Sequence, residues 1–241
     1  MTFSNVLCIV GTDTGVGKTV VGASLCALLR SLGLRIGVFK PAESGCQVGD
    51  LFEPSDAVLL KTASGCQEPL ETIVPYRLCE PLSPAEASRL DGVEISRDLL
   101  FQKLSYLSEN YDFVLLEGAG GLLVPFTRSW CFADFIESFS PRVVVVGRST
   151  LGTVNHTLLT LAELQRRRIP VSGFILNRLS EHVSIEEASN PSSIRGFTDT
   201  PFLGFFPFIS PESVLDPETI CSIVKENLDT LFLSSLYSRV H

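Results

Sequence analysis

The chain has 241 residues, 45% of them hydrophobic and 19% charged, enough for one domain with a substantial core, although length alone would also accommodate two smaller ones. Its 19 Lys and Arg against 27 Asp and Glu leave a formal charge of -8, which disfavours nucleic acid and anionic lipid as partners but leaves a small phosphate compound open as a ligand. Seven cysteines, an odd number without a CxxC pair, and three dispersed histidines fit a reducing cytoplasm better than a disulfide scaffold or a zinc site.

The opening segment MTFSNVLCIVGTDTG lacks a basic head, and glycine and acid interrupt its apolar run, so no signal peptide is expected. No later apolar stretch reaches the roughly 18 residues of a membrane span. The first strand-like run covers 6–10 and leads through a glycine-bearing turn into a predicted helix at 17–32, which Gly33 stops. Residues 35–39 read as the second strand. From Lys40 to Glu80 the chain is rich in Gly, Pro, Ser and Cys without one period, and reads as loops with a short helix near 56–61. Helical spacing returns at 84–89 and 97–108, and residues 113–117 form a buried strand with an acid at its carboxyl end. The β-branched run 143–146 predicts a central strand. Residues 155–168 read as a helix closing in three arginines that suit its C-terminus. Strands are predicted at 171–176 and 202–206 and a terminal helix at 216–233, while the polar stretch 186–200, with an Asn-Pro-Ser-Ser turn signal, reads as mobile. Strands alternating with helices predict a single α/β domain over 1–241, its mainly parallel central sheet flanked by helices.

Gly11-Thr12-Asp13-Thr14-Gly15-Val16-Gly17-Lys18-Thr19 lies between a predicted strand and a predicted helix. Glycines let such a turn curl so that several N–H groups face one cavity, and the helix N-terminus adds potential that favours phosphate. Lys18 can reach terminal phosphate oxygens and Thr19 can ligate magnesium. The usual pattern wants glycine at position 12, where this chain has threonine, with Gly11 one place early. The strand–turn–helix order outweighs that defect, and the turn predicts nucleotide binding in a phosphate-loop NTPase-like fold. A dinucleotide enzyme would place an acid after the second strand; here Phe39-Lys40 ends it.

Lys40, held before Pro41 at the sheet's carboxyl edge, can neutralise charge developing in phosphoryl transfer, or it is an ordinary surface lysine. Ser44 and Gly45 form either a turn that donates to a carboxylate or a plain loop. Glu117, at the end of an apolar strand and before Gly118-Ala119-Gly120-Gly121, suits a magnesium ligand or a structural pairing with a nearby lysine. Asp56 is left between a helix cap and a metal ligand. Asn177 offers both a donor and an acceptor to an adenine edge, yet a turn-forming Asn is as common. His156 reads more readily as a cap or a packed side chain than as a catalytic group.

The motifs GTDTGVGKT at 11–19, KPAESG at 40–45, SDA at 55–57, EPLSP at 80–84, EGAGG at 117–121, VVGRSTLGTVNH at 145–156 and Asn177 together closely resemble the dethiobiotin synthetases, through nearly the whole chain. The resemblance implies a cytoplasmic homodimeric ligase that uses ATP and Mg2+ to close 7,8-diaminononanoate and CO2 into dethiobiotin, through a carbamate and a carbamic–phosphoric anhydride. It implies that Thr14, Gly15, Val16, Gly17, Lys18 and Thr19 wrap the phosphates, and that Thr19, Asp56 and Glu117 hold magnesium. Lys40 and Lys18 are the implied catalytic residues. Gly118, Ala119 and Gly120 join the nucleotide site; Asn177 and Arg178 meet adenine, with Phe206, Pro207 and Phe208 in the other wall. Ser44, Pro81, Leu151 and Gly152 are the implied substrate contacts. Several relatives carry an acid where this chain has Arg178, and a more polar segment where it has Phe205 and Phe206. Two rival readings are another ATP-dependent amidating ligase and a dimeric ATP switch. The ligase generally needs an added glutaminase domain with a nucleophilic cysteine, for which this chain has neither the length nor the motif. Such switches usually carry an extra lysine early in the loop, where this chain has Thr12 or Asp13.

Overall fold

A computed structural model describes residues 3–48, 51–183, 185–210, 213–214 and 216–237. Six strands build the main sheet: β1 (Val6–Gly11), β2 (Ile36–Phe39), β7 (Phe113–Gly121), β8 (Arg142–Arg148), β9 (Val171–Asn177) and β10 (Phe202–Phe206). Their order is β10-β9-β8-β1-β7-β2, and every pairing is parallel. Such a sheet is covered on both faces, which is why its strands read as nearly continuous apolar runs. Alternation within β1 shows the division: Leu7 and Ile9 enter one core, while Val6, Cys8 and Val10 enter the other.

The first core packs α1 (Lys18–Ser31), α2 (Ser55–Ser64), α9 (Pro217–Asn227) and α10 (Thr230–Tyr237) against the sheet. The second packs α4 (Pro84–Leu90), α5 (Arg97–Asn110), α6 (Phe132–Glu137), α7 (Thr153–Arg166) and α8 (Asn190–Arg195) on the opposite face. β1 sits between β7 and β8, and the chain leaves it through α1 toward β2 while β8, β9 and β10 lie on the other side. Strand order therefore reverses at β1, where open α/β sheets form a crevice at the carboxyl edge.

Between Lys40 and Glu80 the structure is more ordered than expected. β3 (Ala42–Ser44) pairs in parallel with β6 (Tyr76–Leu78), β4 (Gln47–Val48) pairs with β5 (Leu51–Phe52), and α2 and the one-turn α3 (Leu70–Ile73) lie between. Strands of two or three residues are too short to generate a period, so their pattern is hidden in the sequence. The stretch expected to be mobile holds a 3-10 turn (Ile185–Ala188) and α8, anchored by polar contacts to the sheet edge. The expected single terminal helix is two: α9 ends at Asn227, Leu228 is extended, and the Asp229 carboxylate accepts from Phe232 N at 2.7 Å to begin α10. Among the described residues no helix is long and apolar enough to cross a membrane.

Candidate active site

The turn after β1 bends through Gly15 (φ 71°) and Gly17 (φ 88°), both left-handed, and delivers Lys18 to the start of α1. A Cβ on Gly17 would lie 2.0 Å from Asn177 Nδ2, so glycine is required there for space as well as backbone. That amide donates to Val16 O at 3.0 Å, tying the end of β9 to the loop. Asp13 Oδ1 accepts from Thr14 N at 2.8 Å, and Asp13 Oδ2 pairs with Arg148 Nη2 at 2.6 Å. An acid in a loop shaped for anions is thereby neutralised by a cation from the end of β8.

A cavity of about 300 Å3 opens beside this loop. Thr14, Gly15, Gly17, Lys18 and Thr19 line one side; Lys40, Glu43, Ser44 and Asp56 line another, and Ala119 and Gly120 close it. Lys18 is 7% exposed, its ammonium 3.3 Å from Asp13 O. Burial pulls it below the ordinary lysine value, and Lys40 adds repulsion that Glu117 opposes. Lys40 donates to Glu117 Oε1 at 2.5 Å and to Asp56 Oδ2 at 2.8 Å. Its burial disfavours the charge, but the Glu117, Asp56 and Glu43 carboxylates outweigh that and hold it protonated above the usual lysine range. Of the two readings of Glu117, the structure displays the pairing with a lysine.

Three oxygens suited to magnesium meet here. Thr19 Oγ1 donates to Glu117 Oε1 at 2.9 Å, Asp56 reaches the same ammonium, and the buried Glu117 Oε2 has no hydrogen-bond partner. That orphaned oxygen, and an ammonium bridging two carboxylates, mark a place built for positive charge. Among the described residues no group of three or more His, Cys, Asp or Glu is arranged as a metal site. Two carboxylates and a hydroxyl nevertheless fit magnesium, which keeps waters and takes substrate phosphate oxygens. Asp56 is no helix cap: the cap position of α2 is Pro54, with no side-chain cap bond.

Glu43 was not anticipated. It is 6% exposed, and its Oε1 and Oε2 accept from Asp56 N and Ala57 N, each at 2.9 Å. Burial pushes its carboxyl up to about 7 despite the Lys40 charge. Its signal lies inside KPAESG, whose Lys40, Ser44 and Gly45 are the positions that the sequence offers more directly. Arg148 was missed because it and Asp13 are 135 residues apart.

Other expected residues lie outside the cavity lining. Val16, Glu117 and Gly118 are buried behind it, the last with Phe132 packed where a side chain would stand. Pro81 is exposed but abuts Gly45 next to Ser44. Leu151, 82% exposed, and Gly152 lie on the β8–α7 turn and do not line this cavity. Phe206 also departs from expectation: its ring is fully buried in the core beneath β10, so it cannot form a wall, and its carbonyl accepts from Arg178 N at 2.9 Å. Pro207 is half-buried and Phe208 exposed. Arg178 lies over Phe205, 5.4 Å from the ring centroid, and donates to the buried Glu187 at 2.9 Å. Glu187 in turn accepts from Ser149 at 2.6 Å, which is what orders the segment after β9.

A family model described as an AAA domain matches residues 5–215. The ATP-dependent dethiobiotin synthetase of Thermodesulfovibrio yellowstonii is 37% identical over 238 residues, covering 95% of this chain and 98% of its own. The enzyme of the same name from an Anaeromyxobacter species is 43% identical over 202 residues, 84% of this chain and 89% of its own. Among solved structures, the MinD cell division protein of Aquifex aeolicus superposes with a TM-score of 0.55 at 14% identity, covering 92% of this chain and 96% of that one, a likeness of fold alone.

Proposed function

The chain belongs to the ATP-dependent dethiobiotin synthetase family, and from that premise we propose that it joins CO2 to 7,8-diaminononanoate and closes the ring with ATP. The observation that carries this reading is the convergence of Lys18, Lys40, Thr19 and Asp56 on one cavity beside the phosphate loop, with Glu117 buried behind it and bonded to Thr19 and Lys40. All of residues 1–241 are assigned to one ATP-binding synthetase domain.

One substrate amine and CO2 form a carbamate, whose oxygen attacks the γ-phosphorus of ATP with loss of ADP. The neighbouring amine then attacks the carbonyl carbon of the carbamic–phosphoric anhydride, expels phosphate and closes the ureido ring. No protein nucleophile is needed, so the residues' task is to gather and neutralise negative charge. Backbone N–H groups of the turn from Thr14 to Thr19 would cradle the phosphates. Lys18 would follow the terminal phosphate, while Lys40, already protonated, would face the carbamate and the transferring phosphoryl group. Thr19, Asp56 and Glu117 would hold magnesium, which when bound supplies further positive charge against the phosphate oxygens. Ser44, on the cavity wall, would contact the diamine or carbamate end. Asn177, with one donor already given to Val16, retains its carbonyl oxygen for the adenine amino group. Arg178, Pro207 and Phe208 would border the base.

A homodimer in the cytoplasm completes the proposal. The seven free cysteines agree with a reducing compartment. Exposed Leu123 and Leu159 border a second groove of about 390 Å3 beside the loop, an apolar surface suited to a second subunit. The test is incubation with 7,8-diaminononanoate, bicarbonate, magnesium and ATP, with mass detection of dethiobiotin. ATP hydrolysis indifferent to the diamine, with no ring product, would overturn the reading.

A further inference from the structure

α2 begins with a defect. The residue at its cap position is Pro54, which has no side-chain acceptor, and none caps the helix locally. The N–H groups of the first helical turn have no partner within the helix and must be satisfied from elsewhere. Glu43 does this from β3: one carboxylate oxygen takes the N–H of Asp56 and the other that of Ala57, both at 2.9 Å, from a side chain only 6% exposed. The residue whose backbone is gripped is the one whose carboxylate meets Lys40 at 2.8 Å, and Glu43, Asp56 and Lys40 line the same cavity.

We propose that Glu43 is a positioning residue for the metal-binding half of this site, fixing Asp56 by holding the first turn of α2 against β3. The inference rests on the reading that Asp56 helps hold a divalent ion, and it adds a role for Glu43 that acts through the backbone of that ligand. Backbone bonds to Glu43 set where the Asp56 Cα lies, so the side chain reaches the Lys40 and Glu117 cluster without searching. Removing such a partner leaves the metal ligand in place but lets it wander.

The test is calorimetric binding of ADP with and without Mn2+ to the full chain. In the wild type, Mn2+ tightens ADP binding; a wild type that shows no such tightening overturns the metal reading itself, and this inference with it. In Glu43→Gln, which keeps size and one acceptor, metal-free ADP affinity stays within about twofold while the Mn2+-dependent tightening falls about tenfold, the loss typical of a group that orients a metal ligand. Half-maximal turnover then needs correspondingly more Mg2+, with kcat at saturating Mg2+ changed far less. A Glu43→Gln protein with a lowered Tm but unchanged Mn2+ linkage would make Glu43 a simple helix cap and overturn the proposal. Should that variant fail to fold, Glu43→Asp, which retains the charge but is one methylene shorter, carries the same comparison with the same two outcomes.

Discussion

Lys40 donates to Glu117 across 2.5 Å where Glu117 is fully buried and Lys40 is 3% exposed. A charge pair this deep is weak evidence for stability as a unit, but breaking it from one side strands the other charge. Lys40→Ala should therefore abolish ring closure and also cost about 3–5 kcal/mol of folding stability. The double variant Lys40→Met with Glu117→Gln removes both charges and should recover most of that stability with no recovery of activity. Denaturant unfolding beside a dethiobiotin assay separates the two effects; a Lys40→Ala protein as stable as wild type would refute the structural half.

The Asn177 amide and Gly17 meet at the floor of the phosphate loop. Gly17→Ala should nearly abolish ADP binding, because the new Cβ would stand 2.0 Å from Asn177 Nδ2 on a backbone with φ 88°. Asn177→Ala alone should weaken ADP binding about fivefold, the value of one net hydrogen bond of about 1 kcal/mol. Combining them should relieve the clash but leave the left-handed backbone penalty of roughly 1–2 kcal/mol. Wild-type ADP affinity in Gly17→Ala would contradict the geometry.

Arg148 neutralises Asp13 at 2.6 Å in a loop that has to accept phosphates. Arg148→Ala leaves that acid facing the nucleotide and should raise the KM for ATP about fivefold, since a partly exposed pair is worth up to about 1 kcal/mol. Adding Asp13→Asn should restore much of the loss. If the double variant is as impaired as the single, the repulsion account fails.

How much of this was legible in the sequence depended on the range of each interaction. The parallel sheet and the phosphate loop could be read because long apolar strands and a compact motif carry local signals. The residues alone leave Asp56 and Glu117 each between two roles, and their shared contact with Lys40 is visible only in the structure. Ser44 and Ala119 came with their motifs. Glu43 did not, since its carboxylate faces a helix that begins 12 residues later. The Glu187 contacts were hidden for the same reason: Ser149 and Arg178 follow the ends of different strands, and a polar stretch read as mobile is held by them. Phe206 shows the opposite error, where family resemblance suggested a pocket wall and strand alternation buried the ring.

Arg167, one of three cations that close α7, also joins that helix to α6. It donates to Glu163 at 2.6 Å, Asp134 at 2.7 Å and Glu137 at 2.5 Å, with its side chain 11% exposed. Partial burial opposes ionisation of Asp134, but Cys131 N–H and Arg167 overcome it and lower its carboxyl to about 2. Glu163 is lowered to about 2 by its bonds to Arg166 and Arg167. Both folded-state values lie below the unfolded ones of about 4, so this stabilisation is complete above roughly pH 4.5 and disappears as pH falls through about 2. Arg167→Ala should lower stability near neutral pH by about 2 kcal/mol, the scale of a hydrogen bond to a charged group. Its effect should shrink as pH falls through that window, because the carboxylates it serves become protonated in wild type and variant alike. Thermal midpoints measured across the same range give the check: a gap between the two proteins that stays constant into acid would mean that Arg167 acts through packing of its stem rather than through its charge.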